Sequence, residues 1–122
     1  MKKRKEIIDN YSPQLVVSIH MNSFPLSSSK GAQAFYKKGN EQGKLFADCI
    51  QKQLSTQIEK TGINGKVGDY YIVNCTDIPA VLIECGFLSN AEEEQLLNTK
   101  EYENKICYLI LSGIISYLNG II

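Results

Sequence analysis

Histidine is nearly absent from this sequence, since the chain of 122 residues contains only His20. One imidazole, even together with one carboxylate, would be too few for a catalytic metal site that needs three protein ligands. Spacing of the CxxC type is also missing among Cys49, Cys75, Cys85 and Cys107. These four cysteines are predicted to be small buried hydrophobic residues, not a zinc knot or a disulfide framework.

Net charge and long apolar runs are lacking as well. Thirteen basic and thirteen acidic residues give no formal net charge, which predicts no electrostatic attraction to nucleic acid. No stretch approaches the roughly 18 apolar residues of a membrane-spanning helix. The basic residues 2–5 resemble the start of a secretory signal, but Glu6, Asp9 and Asn10 interrupt the apolar segment that should follow. We therefore interpret this cluster as the start of a helix.

Hydrophobic periodicity predicts one α/β domain over residues 1–122, without repeats or a linker. The predicted elements are a helix at 2–11, strands at 14–20 and 31–37, a helix at 40–60 with Gly62 as its cap, strands at 70–73 and 80–84, a short helix capped at Ser89 or Asn90, and a helix at 101–118. The first strand is almost entirely apolar, which predicts cover on both of its faces. The strand at 31–37 alternates weakly and is predicted to lie nearer an edge.

Two apolar segments end in residues that are able to do chemistry. Residues 15–20 end at His20, and residues 79–84 end at Glu84. Ligands of α/β sheets bind just outside the carboxyl ends of strands, so both positions favour a functional site. Each has a structural alternative: His20 as a hydrogen-bonded core histidine, and Glu84 as a helix cap or the partner of a lysine.

Cys85 suggests a rival chemistry, in which its thiol is the nucleophile and His20 is the base. Successive residues of a strand point to opposite faces, so Glu84 and Cys85 could share one cleft only at a bulge. A reactive thiol also needs an electropositive setting such as a helix N-terminus, whereas the apolar residues 86–88 follow here. The cysteine hydrolase is therefore the weaker alternative.

Two segments resemble the signatures of a known enzyme family. Residues 18–22, SIHMN, closely resemble the S-I-H-x-N segment of zinc-dependent N-acetylmuramoyl-L-alanine amidases of the type-3 family, which are bacterial enzymes of peptidoglycan turnover. Residues 79–90, PAVLIECGFLSN, resemble the second signature of that family, P-A-x-L-x-E-x-G-F-x-S-N. The order and spacing of the intervening elements also fit. Among subtypes, the chain is most similar to the spore-cortex, germination-specific amidases.

The resemblance implies a fold, a cofactor and a reaction. The fold would be a mixed, mostly parallel twisted sheet with helices on both faces. His20 would be a ligand of one zinc ion and Glu84 the catalytic glutamate, with the cut between muramic acid and the L-alanine of the stem peptide. Zinc acidifies water and polarises a carbonyl, and a glutamate can move the proton to the leaving amine. The substrate implies an extracytoplasmic location, at the cell wall or spore cortex.

The sequence departs from that family in its metal ligands. The family holds zinc with two histidines and one glutamate, and the first histidine and the glutamate ligand both precede the S-I-H-x-N segment. This chain has no second histidine, so we expect an N-terminally incomplete catalytic domain that is inactive as given and lacks a strand and a helix. Exposed core would then be covered by a protein partner or by self-association. The alternative is a non-catalytic module that binds peptidoglycan or a partner protein.

Overall fold

The computed structural model describes residues 2–22, 31–58, 61–87, 95 and 97–120. The described helices and strands are, in chain order, α1 Lys2–Tyr11, β1 Val16–Asn22, β2 Gln33–Tyr36, α2 Glu41–Ser55, β3 Lys66–Val67, α3 Tyr71–Asn74, β4 Ala80–Phe87 and α4 Lys100–Leu118. None of the helices within these residues is long and apolar enough to cross a membrane.

The four described strands form one mixed sheet in the order β1-β4-β2-β3. β1 runs parallel to β4 and β3 runs parallel to β2, whereas β2 runs antiparallel to β4. Two of these three pairings are parallel, and helices lie on both faces of the sheet. The predicted α/β fold with a mixed, mostly parallel sheet is therefore confirmed.

Each face of the sheet has its own layer of helices. The long helices α2 and α4 begin at polar caps, where the side chains of Asn40 and Thr99 accept hydrogen bonds from backbone N–H groups of the first turn. They pack together on one face. Gly113 lies so close to the backbone of Ile50 that a Cβ there would come within 2.6 Å of the Ile50 Cα atom. α1 and α3 cover the other face, with Ile8 and Ile72 buried against it.

A buried glutamine connects α2 to the sheet. Oε1 of Gln51 accepts a hydrogen bond of 2.7 Å from the backbone N–H of Ala34. Its Nε2 donates to the backbone oxygens of Ala32, at 3.1 Å, and Gly62, at 2.9 Å. Because β3 pairs only with Phe35 and Tyr36, the Gln51 carboxamide takes the place of a neighbouring strand beside the first half of β2.

The two strands that carry the predicted site differ in their cover. β4 is the second strand of the sheet, and its residues 80–85 are buried on both faces. β1 is the edge strand of the described sheet, and Ile19 is 57% exposed. The prediction that β1 is covered on both faces is therefore wrong for the described residues. A groove of about 340 Å³ runs along this edge, lined by residues of α1, β1 and α3.

Three predictions on local structure are corrected. Residues 70–73 do not form a strand, because Tyr71–Asn74 is a short helix. β2 is not an edge strand, since β4 and β3 flank it. β3 lies between the predicted helix at 40–60 and the predicted strand at 70–73, where the sequence analysis predicted no element.

Two further predictions concern helix ends and cysteines. α2 ends at Ser55, with Thr56 rather than Gly62 at its cap. The hydroxyls of Ser55 and Thr56 donate to carbonyl oxygens of the last turn, at 2.7 Å and 2.6 Å. Cys49 and Cys85 are buried as predicted, but Cys75 is half-buried and Cys107 is exposed. The helix predicted from residue 89 or 90 begins outside the described residues.

Candidate active site

His20 and Glu84 are register partners on the neighbouring parallel strands β1 and β4. Side chains of partners in a parallel pair project from the same face of a sheet. Ala80 and Leu82, which alternate with Glu84, lie in the core on the α1 and α3 side. The imidazole and the carboxylate therefore lie side by side near the carboxyl ends of two adjacent strands, on that face of the sheet.

The ladder is irregular immediately after this pair. His20 pairs with Glu84, but Asn22 pairs with Phe87, so β4 carries one more residue than β1 over this interval. An extra residue of this kind is a β-bulge, which bends the strand and changes where the following side chains point. Bulges are common beside active sites for this reason. The pair thus occupies the last regular position of the two strands.

Glu84 is buried without a partner for one of its oxygens. Its side chain is 5% exposed, and Oε2 accepts no hydrogen bond from any described residue. Burial raises the pKa of this carboxyl group above its ordinary value. Neither a lysine nor a helix N-terminus among the described residues satisfies Oε2, so the two structural alternatives for Glu84 have no support there. A cation or a proton would stabilise this group.

His20 is half-buried and makes one hydrogen bond through its ring. Nε2 lies 2.8 Å from the hydroxyl oxygen of Ser18. Within the described residues, Nδ1 has no hydrogen-bond partner. His20 therefore differs from a core histidine with both ring nitrogens satisfied. Ser18 was not singled out by the sequence analysis, although its position two residues before His20 places both side chains on one face of β1.

Cys85 lies on the opposite face from Glu84, among the core residues under α2 and α4. It is 4% exposed. Burial, followed by the charges of Glu84 and Cys107, raises the pKa of the Cys85 thiol to about 12. The thiol is protonated at neutral pH and turned away from His20, so the cysteine hydrolase has no geometric support.

Two further residues adjoin Glu84. Gln33 of β2 is its register partner on the other side of β4, but the Gln33 amide donates to the carbonyl oxygens of Ala34 and Asn64 instead. The pKa of Tyr70 is raised by burial and, second, by the negative charge of Glu84. Tyr70 also packs edge-on against Phe35, with ring centroids 5.3 Å apart. No spacing in the sequence identified either residue.

The donor set at this position fits a divalent metal in part. A free imidazole nitrogen and an unsatisfied carboxylate oxygen are suitable groups for zinc and for the water it activates. Nevertheless, the described residues contain no group of three histidine, cysteine or acidic side chains that could hold a metal. The described residues alone therefore do not form a complete metal site of this kind.

Fold and site together define an α/β protein with a histidine and a glutamate at adjacent strand ends. Residues 1–116 match the family N-acetylmuramoyl-L-alanine amidase, of type 3, and the chain belongs to this family. One relative is the germination-specific N-acetylmuramoyl-L-alanine amidase of Bacillus subtilis (strain 168), which is 33% identical over 118 residues. That alignment covers 96% of this chain and 50% of the relative.

Solved structures of type-3 amidases share this fold. The CwlD amidase from Clostridioides difficile, in complex with the GerS lipoprotein, matches with a TM-score of 0.91 and 44% identity over 98% of this chain and 61% of that one. The catalytic domain of the amidase CwlV from Paenibacillus polymyxa matches with a TM-score of 0.86 and 33% identity, over 97% of this chain and 65% of that one. The chain thus spans half to two-thirds of the length of these relatives.

Proposed function

We propose that this chain provides His20 and Glu84 to the active site of a zinc-dependent N-acetylmuramoyl-L-alanine amidase. The reaction would hydrolyse the amide bond between N-acetylmuramic acid and the L-alanine of the stem peptide. The observation that carries the proposal is the register pairing of the imidazole with a buried, unsatisfied carboxylate. Membership of the amidase family supports the bond and the substrate.

Glu84 is assigned the role of general base and acid. Its carboxylate would take a proton from the attacking water and deliver it to the departing amine of L-alanine. A pKa that burial raises above its ordinary value suits both steps, because the carboxylate then takes up a proton more readily and can still deliver it to an amine, which is the stronger base. The pairing of β1 with β4 supports this assignment, because it puts the proposed metal ligand His20 in register with the proposed base.

Zinc would lower the pKa of water and polarise the scissile carbonyl when bound. His20 would supply one ligand through a ring nitrogen, while the remaining protein ligands would come from polypeptide outside these 122 residues. The single histidine of the sequence supports this division. We therefore propose that residues 1–122 form one domain unit that is inactive as an isolated chain.

The proposed substrate places the protein outside the cytoplasm, at the cell wall or spore cortex. A role in spore germination is the finer proposal, supported by the germination-specific amidase among the relatives. A protein partner is also proposed, because Ile19 and Met21 of β1 are exposed at the sheet edge. The solved complex of the related CwlD amidase with a lipoprotein supports this part of the proposal.

The experiment compares the 122-residue chain with the same chain joined to the half of the related germination-specific amidase that it does not match. We expect the isolated chain to bind zinc weakly, and the joined protein to bind one zinc ion and to release stem peptides from muropeptides. Glu84→Gln in the joined protein should lower the rate about 10²- to 10⁴-fold. Glu103→Gln, an exposed residue of α4, is the matched control and should retain activity.

A joined protein that binds zinc but leaves stem peptides attached to the glycan would contradict the amidase proposal. Retention of peptidoglycan without hydrolysis, in a pull-down with purified cell walls, would then favour the non-catalytic binding module. Equal activity of Glu84→Gln and wild type would remove Glu84 from its assigned role.

A further inference from the structure

Ser18 is the one described residue that contacts the His20 ring through a hydrogen bond. Its hydroxyl oxygen lies 2.8 Å from Nε2, and the hydroxyl has no other partner among the described residues. The two residues alternate along β1, so their side chains leave the same face of a strand whose backbone is fixed by pairing with β4. The contact is therefore short, local and held by the sheet.

This contact distinguishes the two nitrogens of the ring. Nε2 faces the serine hydroxyl, whereas Nδ1 has no partner among the described residues. A neutral imidazole carries its proton on only one nitrogen, and the other nitrogen then offers a lone pair. In metal sites the nitrogen that does not bind the metal commonly donates its proton to a neighbouring acceptor, which fixes the ring orientation and the tautomer.

We propose that Ser18 is the positioning residue of His20: its hydroxyl oxygen accepts a hydrogen bond from Nε2–H and thereby leaves the Nδ1 lone pair as the ligand atom. This inference rests on the proposed function only in assigning Nδ1 to a metal. The location of the proton is a property of the isolated chain. In the opposite arrangement the serine O–H donates to Nε2 and Nδ1 carries the proton, which would prevent Nδ1 from acting as a ligand.

The sequence makes the test direct, because the chain has a single histidine and its ring nitrogens give one set of NMR signals. Long-range ¹H–¹⁵N correlation spectra of the ¹⁵N-labelled chain would be recorded at about pH 8.5, where imidazole groups are neutral. We expect the Nε2–H tautomer to dominate in the wild type. Ser18→Ala should shift the population toward the other tautomer, and Ser18→Thr, which keeps a hydroxyl, should restore it.

Ser112→Ala is the matched control, because the Ser112 hydroxyl donates to the backbone oxygen of Tyr108 on the exposed surface of α4. This substitution removes a serine hydroxyl that does not contact β1, so the tautomer ratio of His20 should equal that of the wild type. Thermal unfolding of each variant identifies any loss of fold. A dominant Nδ1–H tautomer in the wild type, or an unchanged ratio in a folded Ser18→Ala chain, would overturn the proposal.

Zinc affinity separates this inference from the proposed function. In the joined protein, Ser18→Ala should weaken zinc binding about 10- to 100-fold, and Ser18→Thr should recover most of that loss. Failure of the wild-type joined protein to bind zinc would contradict the proposed function and leave the tautomer result standing. Normal zinc binding by the folded Ser18→Ala variant would contradict the positioning role alone.

Discussion

β4 and β1 lie side by side and each carries one residue of the candidate site, yet their surroundings differ greatly. β4 is flanked by strands on both sides, and its side chains at residues 80–85 are buried. β1 is the edge strand of the described sheet, and Ile19 is largely exposed although its register partner Ile83 is completely buried. Glu84 therefore lies on a strand that is buried on both faces, whereas His20 lies on a strand that is partly exposed among the described residues.

The difference shows which half of the site the described chain determines by itself. Packing on both faces fixes the strand that presents the carboxylate. The imidazole is fixed by backbone pairing on one side of β1 and by the Ser18 hydroxyl. Polypeptide that packs beside β1 would thus affect the position of His20 more strongly than that of Glu84.

Truncation of the paired isoleucines Ile83 of β4 and Ile19 of β1 is expected to give the largest difference, which is a difference in stability. Ile83→Ala removes buried atoms from the core and should lower the free energy of unfolding by about 2–5 kcal/mol. Ile19→Ala alters a side chain that is mostly in water and should cost less than about 1 kcal/mol. Chemical denaturation of both variants measures the difference.

The same isoleucine pair also tests whether the edge becomes covered. In the joined protein, the cost of Ile19→Ala should rise toward that of Ile83→Ala, because added polypeptide would bury the side chain. Equal costs for the two variants already in the isolated chain would show that the edge is covered by self-association. A dependence of the transition on protein concentration would identify that case.

The stability of the chain should also depend on the proton of Glu84. Since burial raises the pKa of this group, the folded chain binds its proton more readily than the unfolded chain does. The stabilisation is complete below the ordinary pKa of 4.5 and is lost as pH rises through the raised pKa. Urea denaturation between about pH 4 and pH 8 should show this decline in the wild type but not in Glu84→Gln.

Glu103→Gln is the control for this pH series, because the Glu103 side chain is exposed. Its profile should follow that of the wild type. If stability changes with pH in the same way for the wild type and Glu84→Gln, the carboxyl group is satisfied in the folded chain. That result would contradict the absence of a hydrogen-bond partner for Oε2.

The smallest expected effect is a difference in the rates at which Cys107 and Cys85 react with a thiol reagent. A water-soluble thiol reagent should label exposed Cys107 in the folded chain and reach Cys85 only after unfolding, because Cys85 is buried and its pKa is about 12. Mass spectrometry of labelled peptides measures the order of reaction. Rapid labelling of Cys85 under native conditions would show that its strand opens, and would reduce the contrast between β4 and β1.

The elements that sequence analysis predicted well are those with long apolar patterns. α1 was predicted with its observed limits, and β4 and α4 near theirs, because each combines a continuous pattern with a clear boundary signal. Residues 70–73 were assigned to a strand because a short apolar run does not distinguish a strand from a helix. β3 was missed because two exposed residues, Lys66 and Val67, carry no such pattern.

The candidate site was predictable only in its two principal residues. Placing His20 and Glu84 at strand ends required local patterns alone, whereas their register requires knowledge of which strands pair. Tyr70 could not be found in this way, since its relation to Glu84 depends on the fold of α3 against the sheet. The roles of His20 and Glu84 remain predictions.

The Gln51 carboxamide has a consequence for the alignment of β2. A shift of β2 by one residue would separate this amide from the peptide groups of Ala32 and Ala34 and leave buried donors and acceptors unsatisfied. Apolar packing tolerates small adjustments, but these directional bonds permit a single alignment. Gln51 of α2 therefore fixes the alignment of β2, the strand that places Gln33 opposite Glu84.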